Sequence, residues 1–527
     1  MSTPQFGPLR RVSRSSKRAI ARTQSVALGL LFLVLSAGGV WPGITRAEEA
    51  PPRRSDSLET SISGVTAQTA DSLGIRPLTR TWDLSETAEL APGRYRLGGA
   101  VRARYLDWQS IYSFGRGVET SRRLFLTRLQ VSLDYRRSRT LRLFALLNNE
   151  SVEFDSCDSC ETGLREIIFE NMYVEVLRPW RLPLAVRFGR QNLFYGDGWL
   201  VADGTPLDQS RTVYVNGLVF TSQIPSWSFD VFAVKDPRRD NYLPRINNKY
   251  TALIEVDEFA WGVLARREPS SGTALRYSFD PYYIYKRESD AGRSARIHTV
   301  GARLGFGLGN GDASIEFAYQ GGRVPQLDYP EPFDLFLSGP QTISATAGQA
   351  RIEARLPPPV PLEIAAGYVY LSGDNLETRN KFEGWNPLFG RWPVWSELAA
   401  LTASLEGFAQ PMGQTIAYWQ NLAMPFLKVA CGCGSPLRLE ARYMWLDALQ
   451  ALPTMERLFD PSIAGPTHRG TIYTLRMSWS LPGLFDGHAL YESFTPGDFY
   501  PNVPELGGLS IRRESASYFR LEISRSF

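Results

Sequence analysis

Arginine recurs at alternate positions along short segments of this 527-residue chain, with apolar or aromatic residues between. Arg94, Arg96, Arg102 and Arg104 alternate with Tyr95, Leu97, Val101, Ala103 and Tyr105. By the same parity Arg128, Arg142, Arg187, Arg276, Arg303, Arg351, Arg438, Arg442, Arg476 and Arg520 fall on the polar face of their segments. Arg190 has the parity opposite to Arg187 and joins that face only if Gly189 or Gln191 marks a bulge. A guanidinium is a planar fork that stays charged and holds a carboxylate through two hydrogen bonds. A ladder of such forks offers a polyanion many weak sites without trapping it. The opposing reading is structural. Asp134, Glu150, Glu170, Glu316, Glu353, Glu440 and Glu522 share the arginine face and can pair with it to stiffen a wall. Only six of the 58 basic residues are lysine, a bias that base composition alone can produce.

Other reactive residues form no catalytic set. His298, His468 and His488 are far apart in sequence and no G-x-S-x-G nucleophile motif is present, so neither enzyme activity nor a cofactor is expected. Cys157 and Cys160 are close enough for a local disulfide in an oxidising compartment. A bridge between Cys431 and Cys433 is strained, leaving free thiols as the alternative, and neither pair has two further ligands nearby for zinc.

The elements that position the arginines read as strands. Phe125, Leu129, Val131, Leu133 and Tyr135 alternate with Arg128, Gln130, Ser132 and Asp134; Leu437, Leu439, Ala441, Tyr443 and Trp445 alternate with Arg438, Glu440 and Arg442. A soluble sandwich alternates too. Three features point instead to a membrane barrel. Short links (136–139, 178–181, 357–360) are followed by long ones (194–210, 236–257, 373–412), tyrosine and tryptophan gather near strand ends, and the last strand ends on Phe527, although Arg525 occupies a position usually apolar there. The strands expected are 94–108, 121–135, 140–150, 165–177, 183–193, 211–221, 227–235, 258–267, 273–286, 295–307, 312–322, 343–356, 361–372, 413–428, 437–449, 470–481, 487–494 and 516–527. The fold class is therefore all-β: an antiparallel transmembrane β-barrel of about eighteen strands, with both termini and the short turns periplasmic and the long loops external. A barrel of that size leaves an aqueous lumen.

The formal charge of +4 belongs to the leader. Residues 1–47 hold seven basic residues and no acid, so the remaining chain sets 51 basic against 54 acidic residues, about −3, and nucleic acid is not indicated. Val26–Trp41 is an apolar stretch behind that basic region, and Thr45-Arg46-Ala47 offers small residues at a cleavage site. The organisation expected is a signal peptide over 1–47 cleaved after Ala47, a flexible periplasmic arm over 48–92, and a barrel over 93–527.

Several segments resemble a known family. Gly189-Arg190-Gln191-Asn192-Leu193-Phe194-Tyr195-Gly196-Asp197-Gly198 resembles the GRQ-x-x-x-YGD segment of the alginate export family of outer-membrane barrels, and Arg211 with Val215-Asn216-Gly217 is similar to its R-x-x-x-x-DG stretch, with Asn216 in place of Asp. Tyr282-Tyr283, Thr299–Gly305, Glu316–Gly322, Ser372-Gly373-Asp374, Phe382, Pro387-Leu388-Phe389 and Glu492–Gly497 keep the family's order. The resemblance implies an eighteen-stranded barrel whose arginine-rich lumen conducts a polyanionic polysaccharide. The 151–164 loop and the 482–486 turn are shorter than the plugging loops of that family, and Gly470–Leu475 lacks its carboxylate.

The expectation is a monomeric, anion-selective channel of the bacterial outer membrane, bathed in lipid, inserted by the barrel assembly machinery through the strand ending at Phe527, and passing anionic saccharides. The alternatives are a general porin with mild anion preference, or a barrel serving as a surface adhesion or assembly platform through loop 373–412.

Overall fold

Lipid offers the backbone no hydrogen-bond partner, so strands that are apolar on one side and charged on the other must pair around a closed ring. That ring is what the computed structural model of the protein shows. It describes residues 92–110, 121–155, 163–202, 214–246, 254, 256–267, 275–290, 293–327, 339–357, 361–375, 377, 378, 380–390, 395–398, 420–432, 436–451, 455–500, 503–506, 509–511 and 514–527. The leader, the arm through residue 91, and Cys157, Cys160 and Cys433 lie outside the described residues.

Eighteen described strands form the wall: β1 (Tyr95–Gln109), β2 (Arg122–Arg136), β3 (Leu141–Phe154), β4 (Gly163–Leu177), β5 (Leu184–Gln191), β6 (Val215–Ile224), β7 (Trp227–Asp236), β8 (Asp257–Arg267) and β9 (Leu275–Asp290). The second half is β10 (Arg293–Leu308), β11 (Gly311–Leu327), β12 (Gly339–Arg355), β13 (Leu362–Leu371), β14 (Leu422–Cys431), β15 (Leu437–Asp447), β16 (His468–Leu481), β17 (Phe485–Pro496) and β18 (Ala516–Ser526). Each strand pairs antiparallel with the next, and β1 pairs with β18 from Ala100↔Ser526 to Gln109↔Ser517, closing the barrel. Phe527 completes the seam: its N–H donates to Gly99 O at 3.0 Å and its carbonyl accepts from Gly99 N at 2.9 Å. Gly99 is required there, because a Cβ would stand 2.6 Å from the Phe527 ring.

The two faces separate as the alternation demands. Leu129, Val131, Leu133, Phe188, Phe317, Tyr443, Phe519 and Leu521 are exposed on the outer face, where lipid meets a barrel. Arg102, Arg104, Arg128, Arg187, Arg303, Arg442 and Arg520 are buried on the inner one.

Departures from strict alternation have local causes. In β4, Asn171 pairs with Leu146 and Phe169 with Leu147, leaving Glu170 as an extra residue in a bulge. β5 and β6 are short, which leaves the far edge of β4 open. Arg245 and Ile246, from the connection after β7, pair antiparallel with Ile168 and Ile167 and cover it. β14 begins at Leu422 rather than 413, and β9–β12 run longer than the sequence pattern suggests.

Candidate channel lumen

The strand register brings one group of arginines together. Arg102 of β1 lies directly opposite Arg128 of β2, and Arg104 directly opposite Glu522 of β18. Glu522 in turn faces His488 of β17, and Arg520 and Arg476 flank Leu490 on either side. Five guanidinium groups from β1, β2, β16 and β18 thus occupy one sector around Glu522. Arg104 Nε sits 2.6 Å from Glu522 Oε2, while Arg102 Nε is 3.9 Å away. Arg520 donates from Nε to His488 Nε2 at 2.8 Å. At the margins Glu150 faces Arg128 and Glu440 faces Arg476. Like charges directly opposite on a sheet are unfavourable, and Arg102–Arg128 is one such pair on the inner face, as are Arg136–Arg142 and Lys428–Arg442.

Ion pairs recur along the rest of the inner face. Arg142 grips Asp134 through two bonds of 2.8 Å and reaches Glu175 at 3.3 Å, and Glu175 also meets Arg187 at 3.8 Å. Arg276 meets Asp312 at 3.7 Å, Arg351 binds Glu353, Arg438 reaches Glu363 at 3.0 Å, and Arg442 holds Glu440 at 2.8 Å. Glu316 accepts from Tyr282 and Gln349, each at 3.0 Å. Glu170, turned inward by its bulge, accepts from Gln130 at 3.0 Å. Arg96 stands exposed near the terminus end, its register neighbour Asp134 already held by Arg142. Sequence reasoning missed Glu175, Glu363, Lys286 and Lys428, all of inward parity. Lys286 lies 2.8 Å from Glu258 and 3.0 Å from Glu288, and Lys428 binds Glu363. The parity rule applied to lysine and to every acid would have found them.

Arg190 is not on the pore face. No register shift separates it from Arg187, so it shares the outer parity of exposed Phe188, yet it is buried. The 237–246 segment covers it. Arg190 Nη2 is 2.5 Å from Asp240, Nε donates to Asn216 at 3.2 Å, and the guanidinium lies 4.0 Å over the Tyr214 ring. It closes the low side of the wall. Arg190→Ala strands a buried carboxylate and should cost about 3–5 kcal/mol. This is measured as an earlier loss of the folded barrel in denaturant, with ion selectivity unchanged; a stable variant with altered selectivity would return Arg190 to the pore.

Two connections turn into the lumen. After β5, the Tyr195-Gly196-Asp197-Gly198 turn brings Asp197 to Arg303 at 3.2 Å and stacks Trp199 on Trp385. After β13, described residues between 386 and 398 bind inward-parity residues on five strands. Leu388 O accepts from Lys286 Nζ of β9 at 2.5 Å, Asn386 O from Gln320 Nε2 of β11 at 2.8 Å, and Trp395 O from Arg442 Nη1 of β15 at 3.0 Å. Glu492 of β17 accepts from Ser396 Oγ at 3.0 Å and Leu398 N at 2.7 Å, and also takes the Thr474 hydroxyl of β16 at 3.1 Å. Glu397 of the loop accepts from Tyr518 Oη at 2.7 Å and lies 2.5 Å from Arg520, both on β18. A segment held by walls this far apart around the ring lies inside it. The connections after β5 and β13 thus enter the lumen. Within loop 373–412 the described residues from 385 to 398 are a lumen element, whereas Lys381 and Phe382 pair with Thr342 and Ile343 of β12 in the wall; the family-like motifs Tyr195–Gly198, Pro387–Phe389 and Glu492 anchor that lumen element.

Within that loop, burial pushes the Asp374 carboxyl up to about 7, against a hydrogen bond from Glu383 N–H at 2.9 Å, and the neighbouring Glu383 carboxylate raises it further. Because the folded value lies above the usual 3.8, the hold on this segment is full below that value and lost as pH rises through about 7. Channel opening should therefore be more frequent at pH 8 than at pH 6, and Asp374→Asn should remove the difference. A pH step that survives in D374N would assign it to another group.

His488 belongs to the inner face, and the other two histidines lie apart from it. His298 faces outward and shares a hydrogen bond of 2.7 Å with Tyr283, and His468 Nδ1 lies 2.8 Å from Asp447. Cys431 is a free thiol, and among the described residues no group of three or more His, Cys, Asp or Glu is arranged to hold a metal.

A closed eighteen-stranded barrel, apolar outside and charged within, with connections folded into its lumen, is the architecture of an outer-membrane channel. The chain belongs to the alginate export family, whose model matches residues 94–402. The Glu492 motif lies beyond that match. Among solved structures the barrel is similar to OccAB1 of Acinetobacter baumannii, with 10% identity over 84% of this chain and 99% of that one and a TM-score of 0.51. It is also similar to OpdQ of Pseudomonas aeruginosa, with 10% identity over 82% and 98% and a TM-score of 0.50. At such identity the likeness is one of fold. No curated protein matches the sequence.

Proposed function

We propose that this outer-membrane channel passes anionic saccharides by diffusion along the arginine sector of β1, β2 and β16–β18. One observation carries the reading: Arg102 and Arg128 face each other directly, and with Arg104, Arg476 and Arg520 they gather five guanidinium groups in one sector of the wall, where Glu522, Glu150 and Glu397 are interleaved with them. A carboxylated sugar can exchange from fork to fork there, each contact bidentate and none isolated from the next. The matched pairs on the rest of the wall supply rigidity and little net attraction. The inward loops favour short saccharides over a broad polymer, because cargo must pass beside residues 385–398. Export through a cleaved signal sequence and insertion through the strand ending at Phe527 complete the proposal. The platform alternative loses support, since residues 386–390 and 395–398 of the loop it relied on are bound to inward-parity residues of the wall.

Liposome swelling tests the reading. Uronate monomers and dimers should enter protein-bearing liposomes faster than neutral sugars of equal size. Equal rates would leave a general porin.

A further inference from the structure

Outside the lumen, the outer face carries a second arginine group that the transport reading does not use. At the ends of β9, β10 and β11 away from the termini, Arg287 pairs in register with Arg296, and Arg296 with Arg323. All three are exposed. They alternate with inward residues such as Lys286, Glu288 and Ile297, so their Cα positions belong to the lipid-facing side. Among the described residues none of the three has a hydrogen-bond or ion-pair partner. The acid nearest in register on that face, Asp257, is across from Ser289 and accepts from the Arg238 backbone N–H at 2.8 Å. The row continues sideways through Phe259 to Lys235 and through Thr342 to Lys381, both lysines exposed. Adjacent strands stand about 4.8 Å apart, so the three arginines cover roughly 10 Å.

Depth is set by the row beneath. Two residues inward, about 7 Å along the strands, Trp261, Tyr285 and His298 lie side by side. Tyr285 and His298 rings are 5.0 Å apart, and Trp261 packs on Tyr283 at 5.2 Å. Such an aromatic belt sits at headgroup level. The arginines stand immediately outward of it, where headgroup phosphates lie.

We propose that Arg287, Arg296 and Arg323 form a site for the phosphates of an anionic glycolipid in the outer leaflet. Three adjacent forks hold a phosphate bidentately, and the aromatic row receives the acyl chains below. The site is independent of what the lumen carries.

The full chain in detergent is mixed with bisphosphorylated lipid A, with its phosphate-free analogue, or with inorganic phosphate, and retained molecules are counted by native mass spectrometry. The wild type should retain the phosphorylated lipid, ignore its phosphate-free analogue, and release nothing to millimolar inorganic phosphate. R287Q/R296Q/R323Q should weaken retention about a hundredfold, with channel conductance unchanged. R137Q/R139Q/R178Q, which removes exposed cations at the terminus end, should leave retention intact. If the triple variant does not reach the barrel form, Arg296→Gln alone carries the test with a smaller loss. Retention by R287Q/R296Q/R323Q or Arg296→Gln equal to that of the wild type, equal retention of the phosphate-free lipid, or displacement by inorganic phosphate overturns the proposal.

Discussion

Replacing both Arg102 and Arg128 by Glu should abolish or reverse the channel's anion preference, changing the anion-to-cation permeability ratio on the order of tenfold. The two residues are direct cross-strand partners and adjoin Arg104 and Glu522. The double change replaces two guanidinium groups of the sector by carboxylates beside Glu522 and Glu150. Arg276→Glu gives the contrast. Its charge is already set against Asp312 at 3.7 Å, so it should move selectivity much less. Zero-current potentials under a salt gradient measure both. Equal effects from the two variants would mean that the lumen acts through its summed charge rather than through this sector.

The second large effect concerns the inward loop. Trp385 stacks on Trp199 with ring centroids 5.5 Å apart and planes within 8°, and both are almost fully buried. Removing a packed indole costs about 3–5 kcal/mol, enough to release a segment held otherwise by a few hydrogen bonds. Trp385→Ala combined with Glu492→Ala removes that stack and the acceptor of Ser396 Oγ and Leu398 N. Open-channel conductance should rise by a factor of about two or more as residues 385–398 leave an eighteen-stranded lumen. The barrel itself should persist, because its ladders do not depend on the loop. Unchanged conductance would show that the loop does not narrow the conducting path.

How far the sequence foretold this molecule depended on the range of the interaction involved. Alternation is local, and it was plain in β1, β2, β15 and β18, so the eighteen strands and their inward arginines could be read directly. Seam closure by Phe527 against Gly99 was partly legible from the terminal aromatic. Glu175 was obscure because the extra residue in β4 reverses the parity between it and Glu170. Arg190 was obscure because β5 is short and a distant segment covers the opening beside it. The anchors of the inward loop were hidden for a different reason. Glu492 and Ser396 are 96 residues apart, and Arg520 and Glu397 are 123 apart. No periodicity links such pairs, and a long loop after a strand reads as external whichever way it turns. The ordered motifs at Tyr195–Gly198, Pro387–Phe389 and Glu492 marked the family, but their shared task of holding the lumen loops emerges only when the walls are placed.

The arginine sector is proposed to engage carboxylated sugars as they pass. Single-channel current in a planar bilayer, recorded with an oligouronate on one side and then with a neutral oligosaccharide of equal length, tests it most directly. Oligouronate should produce transient current blocks that shorten as salt is raised, and the neutral sugar should produce few. Blocks of equal frequency and duration from both sugars, or none from either in an open channel, would contradict it.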